Sequence, residues 1–230
     1  MKVIKGAVVA IGLLTPLAVH SEPIANGQGW TGFYAGGHLG VAATNFDGVF
    51  DSADSLDRLD DLSAIGFHGI TGGAQLGYDH QINDYVVGFV VDGTMISGAG
   101  STENATNDGI FELGYNWIAS ARGRIGFPAN KVMPYITAGA AFAELDANHE
   151  FTLFDLPDAN GSKTISGNGY VLGFGVDWAV KEKITIGGEI LTYNWNISDD
   201  LTGMGVDRDS GDYLDVEGIT QVRVTVNYRF

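Results

Sequence analysis

The chain has 230 residues, a formal net charge of −16, 34 glycines, five prolines and no cysteine. That length suits one domain, the missing cysteines exclude disulfides, and the acidic balance without a basic cluster argues against a nucleic-acid partner. Beyond the N-terminus no stretch approaches the ~20 continuous apolar residues of a membrane helix.

Residues 1–21 read as a cleavable secretory signal peptide. Lys2 and Lys5 form a basic start, residues 6–19 are an apolar run too short for a comfortable span, and Val19-His20-Ser21 is a plausible cleavage site before Glu22. Cleavage there removes two lysines and no acid, taking the net charge from −16 to −18. No cysteine stands at the cleavage point to carry a lipid anchor. Residues 22–32 read as a polar linker, and residues 33–230 as a single β domain.

Period-two alternation then recurs along the chain. The first strand is expected over 33–46, with Ala35, Gly37, Leu39, Val41 and Ala43 on one face and Tyr34, His38 and Thr44 on the other. An acidic loop over 47–65 leads to a second strand over 66–79, with Ile70, Ala74, Leu76 and Tyr78 on one face. A short turn near Asn83-Asp84 precedes a third strand over 85–97: Val87, Phe89, Val91 and Met95 out, Asp92 and Thr94 in.

A polar loop over 98–109 precedes a fourth strand over 110–126. One parity holds Leu113, Tyr115, Trp117, Ala119, Ala121 and Ile125; the other holds Glu112, Asn116, Ser120, Arg122 and Arg124. After a tight turn with Pro128, a fifth strand runs over 132–143; its faces are small and weakly polarised, and a register slip of one residue would exchange them. A third long loop is expected over 144–168. The sixth strand, 169–180, has Leu172, Phe174, Val176 and Trp178 out and Asp177 in. The seventh, 184–194, has Ile186 and Ile190 out, Glu189 and Tyr193 in. A fourth long loop over 195–217 precedes the last strand, whose ending alternates Val222, Val224, Val226, Tyr228 and Phe230 with Gln221, Arg223, Thr225, Asn227 and Arg229.

Eight strands joined by alternately long and short connections have the pattern of a bacterial outer-membrane barrel, with long external loops and short periplasmic turns. The fold class is therefore all-β: an eight-stranded antiparallel up-and-down transmembrane β-barrel. Closure removes exposed strand edges, and a barrel of this size has an interior just wide enough to be filled by side chains.

The opening Trp30-Thr31-Gly32-Phe33-Tyr34-Ala35-Gly36-Gly37-His38-Leu39-Gly40 resembles that of small alphaproteobacterial outer-membrane proteins, the OmpA-like "porin family" barrels. The resemblance continues at Ala121-Arg122-Gly123-Arg124-Ile125-Gly126, Pro134-Tyr135-Ile136-Thr137-Ala138-Gly139, Gly173-Phe174-Gly175-Val176-Asp177 and 222–230, covering nearly the whole mature chain. It implies an integral protein of the Gram-negative cell outer membrane, inserted by the assembly machinery through its aromatic C-terminal strand. Asp177 departs from the glutamate the resemblance implies. The family includes surface antigens and haemin-binding proteins, so architecture transfers better than activity.

Charge is sorted by position. The four long loops hold 20 of the 28 acidic residues and only Arg58, Lys163 and Arg208 among the basic ones, whereas Lys131, Lys181 and Lys183 lie in short turns. Arg122, Arg124, Arg223 and Arg229 share the expected lumen face with Asp79, Asp92, Glu112, Asp177 and Glu189, so a salt-bridge network should fill the barrel. Asp207, Asp209 and Asp212 form an acidic run that invites Ca2+, although the spacing fails the EF-hand pattern; an acidic run is also simply a solvated face. Divalent ions would bridge such loops to anionic lipopolysaccharide. His149 is the haemin-ligand candidate that the resemblance supplies, and His38 reads as a polar lumen residue. No metal site or catalytic motif emerges.

Three functions remain open. The first is a structural or surface-interaction protein presenting acidic loops on a largely plugged barrel, meeting host or envelope components. The alternative is a small-solute porin, minor channel or haemin-binding protein. The third is a lipid-modifying enzyme using His68 with Ser97 or Ser166, which no motif supports; the chain is read as non-enzymatic.

Overall fold

The computed structural model of the chain describes residues 29–49, 65–98, 100–103, 109–151, 161–195, 198–200, 213–215 and 218–230. The strands are β1 (Gly32–Val49), β2 (Ile65–Ile82), β3 (Tyr85–Ser97), β4 (Gly100–Glu103), β5 (Gly109–Gly126), β6 (Val132–Phe151), β7 (Gly161–Lys181), β8 (Ile184–Trp195), β9 (Ser198–Asp200), β10 (Tyr213–Asp215) and β11 (Ile219–Arg229). Eight of them, in the order β11-β8-β7-β6-β5-β3-β2-β1, form an antiparallel sheet that closes through β1–β11 pairing. The short β4 adds to β5, and the β9–β10 ribbon adds to the far end of β1.

The stagger of the barrel can be read from its register. Pairing carries Gly32 through Asp79, Gly88, Arg124, Thr137, Gly173, Leu191 and Gln221, and returns to β1 at Ala42, ten residues along. Such a stagger goes with strands tilted by ~35–45° from the axis. The short turns make one rim. Asn83 and Asn130 take left-handed backbone there, with φ of 52° and 55°, a conformation asparagine tolerates better than most residues.

Alternation sorts the two faces of the sheet. Leu39 and Met95 are 71% and 75% exposed, while Thr71, Arg122, Val171 and Leu191 are fully buried. Lipid can solvate the outer apolar face, so exposure there carries no hydrophobic cost. Phe33, Phe89, Phe127, Trp178, Tyr228 and Phe230 ring the short-turn end of that face. Amphipathic and aromatic rings of this kind settle at a membrane–water boundary.

Two close approaches need glycine. A side chain at Gly77 would collide with the Tyr34 ring, and one at Gly175 with the Tyr135 ring. Each large inward ring therefore lies over bare backbone of the neighbouring strand, which is how so narrow a barrel holds several of them.

Three expectations need correction. Tyr115, expected outside, is 2% exposed. A bulge between Tyr115 and Trp117 inserts Asn116 and breaks the alternation that the sequence reading extended through the whole strand. The expected third loop is largely strand: β6 and β7 pair from Glu144↔Ser166 to His149↔Gly161. There Ala143, Leu145 and Ile165 point inward, while exposed Thr164 donates through Oγ1 to half-buried Asp146 at 2.8 Å. Finally Trp30, placed in a polar linker by sequence, is fully buried with Val86, Met133, Tyr135 and Ala179.

Candidate functional site

The distinctive chemistry of the barrel is inside it, in two stacked charge clusters. The middle cluster joins β3, β5, β8 and β11. Arg122 Nη2 lies 2.7 Å from Asp92 Oδ1 and its Nη1 3.2 Å from Glu189 Oε1. Arg223 Nε lies 2.7 Å from Glu189 Oε2, and its Nη1 3.4 Å from Asp92 Oδ2. Ser120 Oγ donates to Asp92 at 2.7 Å, and Tyr135 Oη donates to Glu189 at 2.8 Å. His38 Nε2 stands 3.3 Å from Arg223 Nη1. Gln75 accepts from Arg223 at 3.4 Å and donates to Asn227 at 2.7 Å.

A second cluster lies nearer the short turns. Arg124 donates to Asp79 through Nε at 2.8 Å and Nη2 at 2.5 Å, and through Nη1 to Asp177 at 3.1 Å. Arg229 Nη2 donates to the same Asp79 at 2.8 Å. The Arg124 guanidinium lies 4.7 Å from the Tyr34 ring centroid and 4.9 Å from that of Tyr135, a cation–π sandwich that adds packing to charge. Each cluster contains two arginines and two acids, so each is neutral. An ion inside a barrel of this width is costly unless it is paired and hydrogen-bonded, and bidentate guanidinium geometry meets both conditions.

Further side chains pack at each end of this core among the described residues. At the short-turn end Arg229 Nη1 donates to the Trp30 carbonyl and, at 3.2 Å, to that of Gly32. Gln81 Oε1 accepts from the Trp30 amide at 3.2 Å, and Thr31 Oγ1 accepts from the Gln81 amide at 3.0 Å. These bonds hold the Trp30 indole across the mouth. Toward the long loops, Gln221 Nε2 donates to Thr71 at 2.8 Å, and Tyr193 stacks on Trp195 at 5.6 Å. Buried Tyr115, Ile118, Leu145, Ile165 and Ile219 surround them.

Comparison with known proteins is consistent with this geometry. The sequence profile of the outer membrane protein beta-barrel domain matches residues 10–230. The chain belongs to that family. It is 31% identical over 217 residues to the 31 kDa outer-membrane immunogenic protein of Brucella melitensis, covering 87% of this chain and 84% of that one. It is 27% identical over 210 residues to the 22 kDa outer membrane protein of Rhizobium leguminosarum, covering 90% and 82%. Among solved structures it is similar to the outer membrane protein OprG from Pseudomonas aeruginosa, with a TM-score of 0.53, 10% identity, and coverage of 91% and 100%; that likeness concerns the fold. The protein is thus an outer membrane beta-barrel protein, located in the bacterial outer membrane, with outer-membrane relatives among alphaproteobacteria.

Within this outer membrane beta-barrel, Asp92, Arg122, Arg124, Asp177, Glu189, Arg223 and Arg229 lie inside, together with Asp79. Glu112 stands opposite Asn148 on β6 and Ser101 on β4, upstream of the Asn116 bulge, so the unbroken parity that assigned it to the lumen does not hold. Its side chain lies outside the described residues, as does that of His149. Asp207, Asp209 and Asp212 also fall outside the described residues. His68 and Ser97 are exposed on neighbouring strands, while Ser166 is on β7, separated from β2 by β6, β5 and β3.

Sequence reading missed the neutral partners: Gln75, Tyr135, Gln221 and Trp30. Tyr135 follows Pro134 in a strand whose outer face is Val132, Pro134, Ile136, Ala138 and Ala140. Weak contrast between these faces gave no parity signal. The long side chains of Gln75 and Gln221 were legible only as polar positions.

Proposed function

We propose that this protein is a non-catalytic surface-interaction barrel with a plugged lumen, whose acidic external loops carry its contacts. The observation that supports this most directly is the buried pair of neutral charge clusters, held between Trp30 at one mouth and the Tyr193–Trp195 stack toward the other. Such a core leaves an eight-stranded barrel little room for a solute path. The Brucella relative is named an immunogenic outer-membrane protein, which fits exposed loops as the part met from outside. The loops are acidic enough that contact with lipopolysaccharide would need divalent cations between like charges.

A loop-exchange experiment tests the reading. Residues 51–64 and 201–212 are replaced by short turns, and both forms are displayed on a heterologous Gram-negative host. The folded fraction, read from heat-modifiable mobility, should be equal. Adherence of the displaying cells to host-cell and matrix surfaces should exceed that of non-displaying cells for the native form alone. Adherence kept by the loop-exchanged barrel, or absent from both forms, would overturn the proposal.

A further inference from the structure

The exposed cations of the described side chains are Lys131, Lys181 and Lys183, all on one arc of the short-turn rim. Two backbone bonds hold that arc together: Ala179 N donates to Lys131 O, and Arg229 N donates to Lys183 O, each at 2.8 Å. Lys181, Glu182, Lys183, Ile184 and Tyr228 line a cleft of about 440 Å³. Lys183 Nζ sits 5.8 Å from the Tyr228 ring centroid. Glu182 is the acid within this arc, and Asp84 lies on a different hairpin. All four arginines of the described residues are meanwhile buried in the core. Among the described side chains, arginine and lysine are thus divided: planar guanidinium groups pair inside, and flexible ammonium groups stand at the rim, where they can snorkel.

A second feature lies on the same side of the barrel. On the outer face of β3, β5, β6 and β7, Gly123 and Ala138 pair across the sheet and make the floor of a groove of about 560 Å³. Val87, Ile125, Ile136 and Leu172 are its walls. On its rim side Ile125 pairs with Ile136, and beyond them β6 begins just after Lys131 and β7 ends at Lys181. Lipid-facing surface is ordinarily filled with large apolar side chains, and here Gly123 and Ala138 leave a recess among them on the strands that carry the lysine-bearing turns.

We propose that this arc binds an anionic phospholipid of the periplasmic leaflet. Its phosphate lies among Lys131, Lys181 and Lys183, and one acyl chain lies in the groove over Gly123 and Ala138. The short-turn rim faces the periplasm in barrels of this family, so a lipid of that leaflet has its headgroup at the rim and its chains directed toward the midplane. Trp178 and Tyr228, exposed beside the lysines, supply the amphipathic rings that settle at headgroup level.

The test is native mass spectrometry of the mature protein released from nanodiscs of phosphatidylcholine with an equimolar share of phosphatidylglycerol. Retained phosphatidylglycerol should exceed phosphatidylcholine by roughly tenfold, as several lysines near an anionic headgroup would give. The combined K131Q, K181Q and K183Q variant should lose that preference, and the corresponding arginine variant should keep it. Ala138→Phe, which fills the groove without touching the core, should lower retention while all lysines remain. Heat-modifiable mobility confirms that each variant is folded. Equal retention of both lipids, a preference that survives the glutamine variant, retention indifferent to Ala138→Phe, or retention of added lipid A in place of phosphatidylglycerol would each overturn the assignment.

Discussion

Asp79→Ala is expected to destabilise the folded barrel by ~3–5 kcal/mol, the usual cost of stripping one partner from a buried ion pair. Asp79 is fully buried and accepts from both Arg124 and Arg229. Without it those two guanidinium groups share Asp177 alone, which already bonds Arg124 at 3.1 Å. A net positive charge is then held in a narrow interior, beside the Trp30 and Gly32 carbonyls that Arg229 also needs. Urea unfolding in lipid vesicles, followed by tryptophan fluorescence and mobility on gels, measures the loss. Asp79→Asn should fall between the two, because it keeps the volume and an acceptor but not the charge. Joint replacement of Asp79 and Arg124 by leucine and methionine should recover part of the stability. A loss for Asp79→Ala under about 1 kcal/mol, typical of an exposed pair, would contradict a buried network.

Val224→Arg should cost ~2–4 kcal/mol, the penalty measured for a cation on the lipid face near the bilayer midplane. Val224 is 56% exposed and pairs with Leu39 and Gly188, both outside. Its neighbour Arg223 is buried and paired one residue away, so the same residue type is required on one face and costly on the other. Thr220→Arg supplies the depth control. It is exposed on the same strand toward the long-loop end, where the cost should fall to ~0–1 kcal/mol. Equal costs at the two positions would contradict the assignment of that outer face to lipid.

The sequence disclosed the membrane-spanning parts well, because lipid enforces a simple contrast there. Outside must be apolar and inside can be polar, so Val222 to Phe230 against Gln221 to Arg229 could be read without ambiguity. The third strand, 85–97, and its faces coincide with β3. Beyond the bilayer the contrast reverses. Glu144, Asp146, Thr164 and Ser166 are accessible to solvent and their intervening neighbours are buried, so the segment looked like a polar loop although its period-two pattern continued. The bulge at Asn116 was invisible for a different reason: one inserted residue changes parity without changing composition. Trp30 could not be placed from sequence because its burial depends on Arg229, 199 residues away. The charged members of the core were legible as lumen residues, since an arginine on a membrane strand has few other places to go. Which acid each would meet was not, because Arg122 reaches β8 and Arg229 reaches β2 across the interior.

The most direct measurement of a closed lumen is the conductance of the purified, refolded barrel in a planar bilayer, at two salt concentrations, with folding confirmed beforehand. A core filled by two neutral clusters and covered by Trp30 predicts a silent membrane, with no reproducible current steps at either salt concentration. Reproducible steps that scale with salt, and that change when Glu189 is replaced by glutamine, would mean that ions pass the middle cluster and that the interior is a path.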